Sequence, residues 1–423
     1  MAPAYADPRS HIIYDDAKSY FARSRERYDI IISEPSNPWV AGTASLFTEE
    51  FYANVLPYLE DDGLFVQWVH TYEFDSRLLA SITLAARTAF KDFAIYAANN
   101  SDLVLVARKT GALGRAGDTV FTFPAIARRL AEVGFRNADD LERQRVIGRE
   151  LTNQIFFFDG IQANSDYYPF VDINAARARF KRQNADALSV LADAPVPMVE
   201  MLEKRAPATR APSSMQPRVA VRRMTQIAQA QATFEHITES SEGGGPGRVA
   251  ARPSAHMGVV RMLFEDCARA ERAPEVWDHV VALASELNTT LAPSQLDALW
   301  QRFERSPCLA KLPPHYTTWL ALFRAVGNRD GARMAHLADQ LLELADKSER
   351  QLDYLVVASA TGHLASGSRA GALAVLKESA QSLPVSVLSQ QWYRLLRQLA
   401  GIPPDAVRGN NSGHPPRAVQ AGG

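Results

Sequence analysis

The sequence predicts an α/β fold over its first ~110 residues and an all-α, helical-repeat region toward its C-terminus, on three observations. Short apolar runs alternate with helical patterns up to about residue 110. One of those runs, Asp29-Ile-Ile-Ile-Ser33, is continuous and β-branched, as in strands of a parallel sheet covered on both faces. After a compositional break at about 204–257 the pattern is helical, with two helix–turn–helix pairs in succession.

The elements follow in order. Ser10-His-Ile-Ile-Tyr14 reads as a short strand and 16–25 as a helix. After the 29–33 strand, Thr48 caps a helix to Leu59 with Phe51, Val55 and Leu59 on one face. Gly63 to Trp68 is the next strand and Asp75 to Phe90 the next helix. Two further strands, 93–98 and 103–108, flank Asn99-Asn-Ser-Asp102, a hairpin turn sequence. The order βαβαβαββ builds a parallel sheet with crossover helices, closed by one antiparallel strand.

Residues 119–190 read as mostly helical, with Asn137-Ala-Asp-Asp140 capping a helix from Leu141 to Leu151. Ala206 to Ser214 and Ser240 to Gly247 are too poor in large apolar groups to bury a core, and Val219 to Ile237 between them is amphipathic. Further on, Trp319 to Phe323 and Ala335 to Leu344 flank a turn at 327–331. A second pair follows, 352–364 and 370–383 around Ala365-Ser-Gly-Ser368. The expected division is a partial α/β domain at 1–110, a mainly helical extension at 111–200, a low-complexity linker at 201–257, helical hairpin repeats of tetratricopeptide-like spacing at 258–400 and a disordered tail at 401–423.

Composition narrows the function. Forty-six basic residues against 47 acidic ones, net charge -1, give no electrostatic case for nucleic acid or an anionic membrane. No apolar run reaches the roughly 18–20 residues of a membrane-spanning helix, and the start lacks a signal-peptide pattern. The chain as written therefore reads as cytoplasmic, without membrane contact of its own. Cys267 and Cys308 read as reduced core thiols, too few for a zinc site. No metal is expected, and His70, His279 and His315 stand without a second ligand at metal spacing.

Chemistry concentrates at Tyr28-Asp-Ile-Ile-Ile-Ser-Glu34-Pro-Ser-Asn37-Pro-Trp39. Residues just beyond the C-terminal end of a parallel strand line the ligand crevice of an open α/β sheet. Glu34 stands there; the alternative is a loop whose Glu and Asn only cap or bind backbone. Trp68, Tyr72 and Phe74 could stack on a ligand or simply pack.

Asp29 to Pro38, then Ser45-Leu-Phe-Thr-Glu-Glu-Phe-Tyr52, then Leu59-Glu-Asp-Asp-Gly-Leu-Phe-Val-Gln67 together resemble the spermidine/spermine synthase family, in its bacterial spermidine-synthase-like branch. Asn164-Ser-Asp166-Tyr-Tyr-Pro169-Phe-Val-Asp172 is similar to a further segment of that branch. The resemblance spans about residues 8–180. It implies a methyltransferase-like (Rossmann-type) sheet and transfer of an aminopropyl group from decarboxylated S-adenosylmethionine to a polyamine amine. It implies Glu34 as general base; Asp16, Ala17 and Ser33 toward the nucleoside; and Asn37 and Gln67 toward the amine. Asp16 also fits as a helix N-cap, and Gln67 as an amide satisfying neighbouring backbone. Branch members with N-terminal transmembrane helices imply membrane anchoring for a longer native form.

Departures from the family are informative. Its loop is Asp-x-x-Asp-Pro, whereas Glu34 and Asn37 stand here. Asn37 removes a charge that a cationic amine would use, typically about 1.5–3 kcal/mol for a charged hydrogen bond. No Gly-x-Gly turn follows a strand, so the sheet is expected to lack its first strands and to expose the edge of the 29–33 strand. The expected function is thus a spermidine-synthase-like transferase, incomplete and inactive as this chain alone. The alternative is a non-catalytic scaffold whose helical repeats bind a protein partner.

Overall fold

The computed structural model describes residues 5–156, 160–191, 193–217, 221–238, 250–265, 267 and 272–403. The Ser240–Gly247 stretch and residues 404–423 of the expected tail lie outside them.

The α/β part runs α1 (Ala17–Arg23), β1 (Tyr28–Ser33), α2 (Glu49–Val55), β2 (Leu59–His70), α3 (Ser76–Ala89), β3 (Asp92–Ala97) and β4 (Asp102–Arg108). Short polar residues start the helices as expected. The Thr48 hydroxyl accepts from Phe51 N at 3.2 Å, and Asp75 accepts from Arg77 N and Leu78 N at 2.8 and 3.0 Å.

The sheet has the order β1-β2-β4-β3-β5, with β1 parallel to β2 and β4 antiparallel to both its neighbours. The fifth strand, β5 (Arg145–Gly148), was expected to be helix. The Asn137 cap does form, but α5 (Ala138–Glu142) stops early and α6 (Arg149–Ile155) restarts after β5. Pairing with the edge of β3 outweighs local helical preference over those four residues.

A second difference concerns residues 10–14. They form no strand; Ile12, Ile13 and Tyr14 are exposed. An extended apolar segment becomes a strand only against a neighbour, and β1 is the outer strand of this sheet.

Alternation along the strands divides the sheet into two unlike faces. Ile31, Phe65, Val69, Leu103 and Leu105 are buried on the face shared with α2 and α3. On the other face Ile30 and Ile32 are 54% and 71% exposed, and Leu64, Val66, Val104 and Val106 are only half-buried. A cavity of about 550 Å³ lies over that second face.

The chain continues through α4 (Pro124–Glu132), then, after α5, β5 and α6, through α7 (Phe170–Phe180), α8 (Ala187–Leu191), α9 (Met198–Leu202) and α10 (Arg222–Thr238). It ends in α11 (Met257–Phe264), α12 (Ala273–Asn288), α13 (Pro293–Glu304), α14 (His315–Gly327), α15 (Gly331–Leu342), α16 (Glu349–Ala365), α17 (Arg369–Ser379), α18 (Val385–Leu388) and α19 (Gln391–Ala400). Helices α15 and α16 approach so closely at Gly362 that a Cβ there would lie 2.6 Å from Gly331 O. One continuous apolar core runs from Ile31 to Ile402, joining sheet and helices. No helix among the described residues is long and apolar enough to cross a membrane.

The two cysteines depart from expectation. Cys267 and Cys308 form a disulfide, with Cα atoms 5.0 Å apart across 41 residues of sequence. Spacing in the sequence could not reveal the pairing, which depends on the chain after α11 meeting the turn after α13. Restraint of a loop this long is worth about 2–4 kcal/mol in the unfolded chain. Cys308→Ala, or reduction of the native protein, should lower unfolding free energy by about that amount, measured by urea denaturation with and without reductant.

Candidate functional site

The parallel pair β1 and β2 sets Ser33 beside Gln67. The chain then leaves β1 as the loop carrying Glu34 and Asn37, and the end of β2 delivers His70 and Tyr72. Both strand ends open to the same side, where a parallel α/β sheet holds its ligands.

Gln67 is fully buried, and its amide is a junction. Its Oε1 accepts from Tyr52 OH at 2.5 Å, and its Nε2 donates to Leu46 O at 2.9 Å and to Ser33 Oγ at 3.3 Å. Both donors are therefore committed to protein. Burial pushes the Tyr52 phenol up, so it remains the donor. Asn164 clamps the far side of the loop: Nδ2 donates to Phe47 O at 3.0 Å, and Oδ1 accepts from Val171 N at 3.0 Å.

Glu34 is exposed, and its carboxylate has no hydrogen-bond partner among the described residues. Asn37 Oδ1 lies 3.5 Å from Tyr72 OH. Around them stands an aromatic wall: the rings of Trp39 and Tyr72 lie 4.9 and 4.8 Å from His70, and Phe74 closes it at 4.9 Å. The Arg179 guanidinium sits 5.0 Å over the Trp39 ring and 3.4 Å from the Glu73 carboxylate. Glu73 holds a positive φ of 50°, an uncommon backbone for a non-glycine residue.

Asp16 lies on a different element. Its Oδ1 accepts from Ser19 N at 2.9 Å as the N-cap of α1, which holds the carboxyl below its ordinary range. Ala17 opens that helix. No side-chain contact among the described residues joins Asp16 to Glu34 or Asn37. Glu34, Ser33, Asn37 and Gln67 thus share one neighbourhood, and Asp16 and Ala17 share a second. Nor does any group of His, Cys, Asp or Glu among the described residues suit a metal ion.

Trp39, His70 and Arg179 complete the site; Trp39 ended the stretch singled out in the sequence but carried no role there, and the other two were not expected. Trp39 was signalled by its place directly after the loop; Arg179, 140 positions further on, had no sequence signal. His70 is buried with neither ring nitrogen hydrogen-bonded among the described residues. Burial pushes its pKa down to about 4, opposed by the nearby Asp102 carboxylate.

The outer strand, the loop at its C-terminal end and the crossover connection to β2 define an α/β protein. More particularly, residues 1–100 match the spermine/spermidine synthase domain. The polyamine aminopropyltransferase of Buchnera aphidicola is 41% identical over 63 residues, 15% of this chain and 22% of that protein. The Bacillus subtilis enzyme of that name is 31% identical over 93 residues, 22% of this chain and 33% of that protein. The Thermoplasma volcanium one is 29% identical over 97 residues, 23% and 35% respectively. The chain thus spans between about a fifth and a third of the length of these relatives.

Two tests follow from the buried groups. Tyr52→Phe leaves Gln67 Oε1 without its donor and should cost about 1–3 kcal/mol, read by chemical denaturation at pH 7. His70 binds its proton in the unfolded chain near pH 6.5 but in the folded protein only near 4. Stability should therefore fall as pH drops through that window, by up to about 3 kcal/mol. Denaturation at pH 7 and pH 4.5 should show a smaller fall for His70→Phe than for the unmodified protein.

Proposed function

We propose that the α/β part is a spermidine-synthase-like transfer module, moving an aminopropyl group from decarboxylated S-adenosylmethionine to an amine. The observation that carries this reading is the Glu34–Trp39 loop at the ends of two parallel strands, inside the segment that matches the family. The unpartnered Glu34 carboxylate takes the proton of the attacking amine as general base. The amine nitrogen bonds to the propyl carbon while the carbon–sulfur bond breaks, and methylthioadenosine leaves. Asn37, Tyr72 and Trp39 orient the amine, and aromatic faces favour a cation. Arg179 already covers Trp39, which fits an acceptor smaller or less charged than a full polyamine. Gln67 acts on the amine site by holding Ser33 and Leu46 in place rather than by direct contact. Asp16, Ala17 and Ser33 face the nucleoside.

The nucleoside half of such a site needs strands beyond β1. Exposed Ile30 and Ile32 on an outer strand, and the short share of each relative that is matched, support a module completed by further polypeptide. A membrane-anchored longer form is one source of it. The expected cytoplasmic placement is weakened by the disulfide, since such bridges are rare where thiols are kept reduced. A second reading, a scaffold of tetratricopeptide-like pairs, draws support from the successive hairpins α14–α15 and α16–α17. That role would add a protein partner and leave the crevice idle.

Glu34→Gln in the completed protein should lower kcat about 100- to 10,000-fold and leave methylthioadenosine binding unchanged by calorimetry. Retained turnover removes Glu34 from the base role. The chain by itself should show no transfer in the same assay.

A further inference from the structure

Between the sheet and the helical region lies a cavity of about 70 Å³ whose wall carries five arginines among apolar and other polar residues. Arg145 comes from β5, Arg205 follows α9, Arg223 lies in the first turn of α10, and Arg329 sits in the turn between α14 and α15. The side chains of Arg145, Arg205 and Arg329 are 12%, 16% and 11% exposed.

Their counter-charges are unevenly shared. Glu203 alone serves two of them, at 3.6 Å from Arg145 and 2.8 Å from Arg205. Glu200 takes Arg329 at 2.7 Å. Arg143, also on the wall, is matched by Asp140 at 3.2 Å. Glu142 lines the cavity but spends an oxygen on Ala116 N. Arg223 has no carboxylate within ion-pair distance among the described residues; only its Nε is bonded, to Arg143 O at 2.8 Å. Asp193, the carboxylate that acts on it most strongly, is committed to Arg222 at 2.6 Å and Gln226 at 3.2 Å. Burial pushes the Arg223 pKa down to about 10. The Nε of Arg145 is buried without a hydrogen-bond acceptor, and that of Arg205 faces only the shared Glu203 carboxylate.

Guanidinium groups taken from water without acceptors are costly, and a planar fork is matched by an oxyanion. The volume is that of about two waters, room for one phosphate-sized group and not for a nucleoside. We infer that this cavity is an anion site that takes a single phosphate or phosphate-monoester group between Arg145, Arg205 and Arg223, separate from the crevice at Glu34. Phosphate there bridges β5, α9 and α10, and so ties the sheet to the helical region.

The test uses the full chain in chloride buffer at fixed ionic strength, titrated with inorganic phosphate and followed by calorimetry and thermal unfolding. A saturable one-to-one heat and a rise in melting temperature are expected, with no response to acetate at the same ionic strength. Arg223→Met should melt at or above the parent in chloride, having lost an uncompensated charge, and should lose the phosphate response at least tenfold in affinity. The exposed control Arg302→Met should keep it. Equal responses to phosphate and acetate, or a full phosphate response in Arg223→Met, overturn the site. If Arg223→Met does not fold, the parent's titration decides alone: no saturable phosphate heat overturns it.

Discussion

The buried amide of Gln67 is the constraint on which the crevice depends. It lies where β1, β2, α2 and the loop before α2 converge, and it binds one group from each of the other three. An apolar side chain of similar size would fill the space but could not fix the distance between Ser33 and Leu46. Low dielectric strengthens each of these bonds and makes the loss of any one expensive. The loop bearing Glu34 is thus anchored on both sides, by Ser33 at its start and by Leu46 beyond it. Asn164 adds the third anchor from far along the chain, through Phe47 and Val171. An exposed carboxylate on a loop held this way keeps its position without spending hydrogen bonds of its own.

The sheet's two faces then explain the asymmetry of the molecule. On the face toward α2 and α3, aromatic side chains pack in series, Phe65 stacked on Phe90 at 5.1 Å and edge-to-face with Tyr52 at 5.8 Å. On the other, β-branched residues of the same strands face a wide cavity or solvent. Parallel strands are normally covered on both sides because their connections run across the faces. Exposing Ile30 and Ile32 forfeits roughly 1.5–3 kcal/mol for each side chain that could have been fully buried. That cost falls on the strand that delivers Glu34, so covering the outer face and steadying the crevice are one physical problem.

Most of the α/β part was legible because its signals are local. The β-branched run at 29–33 is a strand, and Thr48, Asp75 and Asn137 start helices where a short polar side chain precedes an apolar pattern. The failures share a cause. Ile12 and Ile13 look like strand residues, but a strand needs a neighbour; Arg145 to Gly148 look helical, but the β3 edge was open to them. The same holds within the site. Glu34 and Asn37 stand on one loop that a sequence window contains, whereas His70 comes beside Trp39, Tyr72 and Phe74 only through burial. Arg179 and the Cys267–Cys308 bridge depend on contacts between distant parts of the chain, which no window of sequence contains.

The attachment of the helical region shows how apolar and charged contacts divide the work. The shared core holds the two parts together, but burial of apolar surface is non-directional and tolerates many angles of approach. Direction comes from polar contacts that cross the junction: Arg143 Nε to Thr290 O at 3.3 Å, Arg329 to Glu200 at 2.7 Å, and Gln295 to Gln231 at 2.9 Å. Buried ion pairs contribute little net stability, because desolvation offsets most of the attraction. What they penalise is misplacement, since a guanidinium that misses its acceptor pays the desolvation without the bond. Arg143 belongs to the turn leading into β5, and Glu200 to α9, so two of the three contacts lie on the wall of the cavity that Arg145 of β5 also lines. The helical region is therefore seated by the edge of the sheet opposite β1, and the strand that leads into the Glu34 loop lies at the other edge.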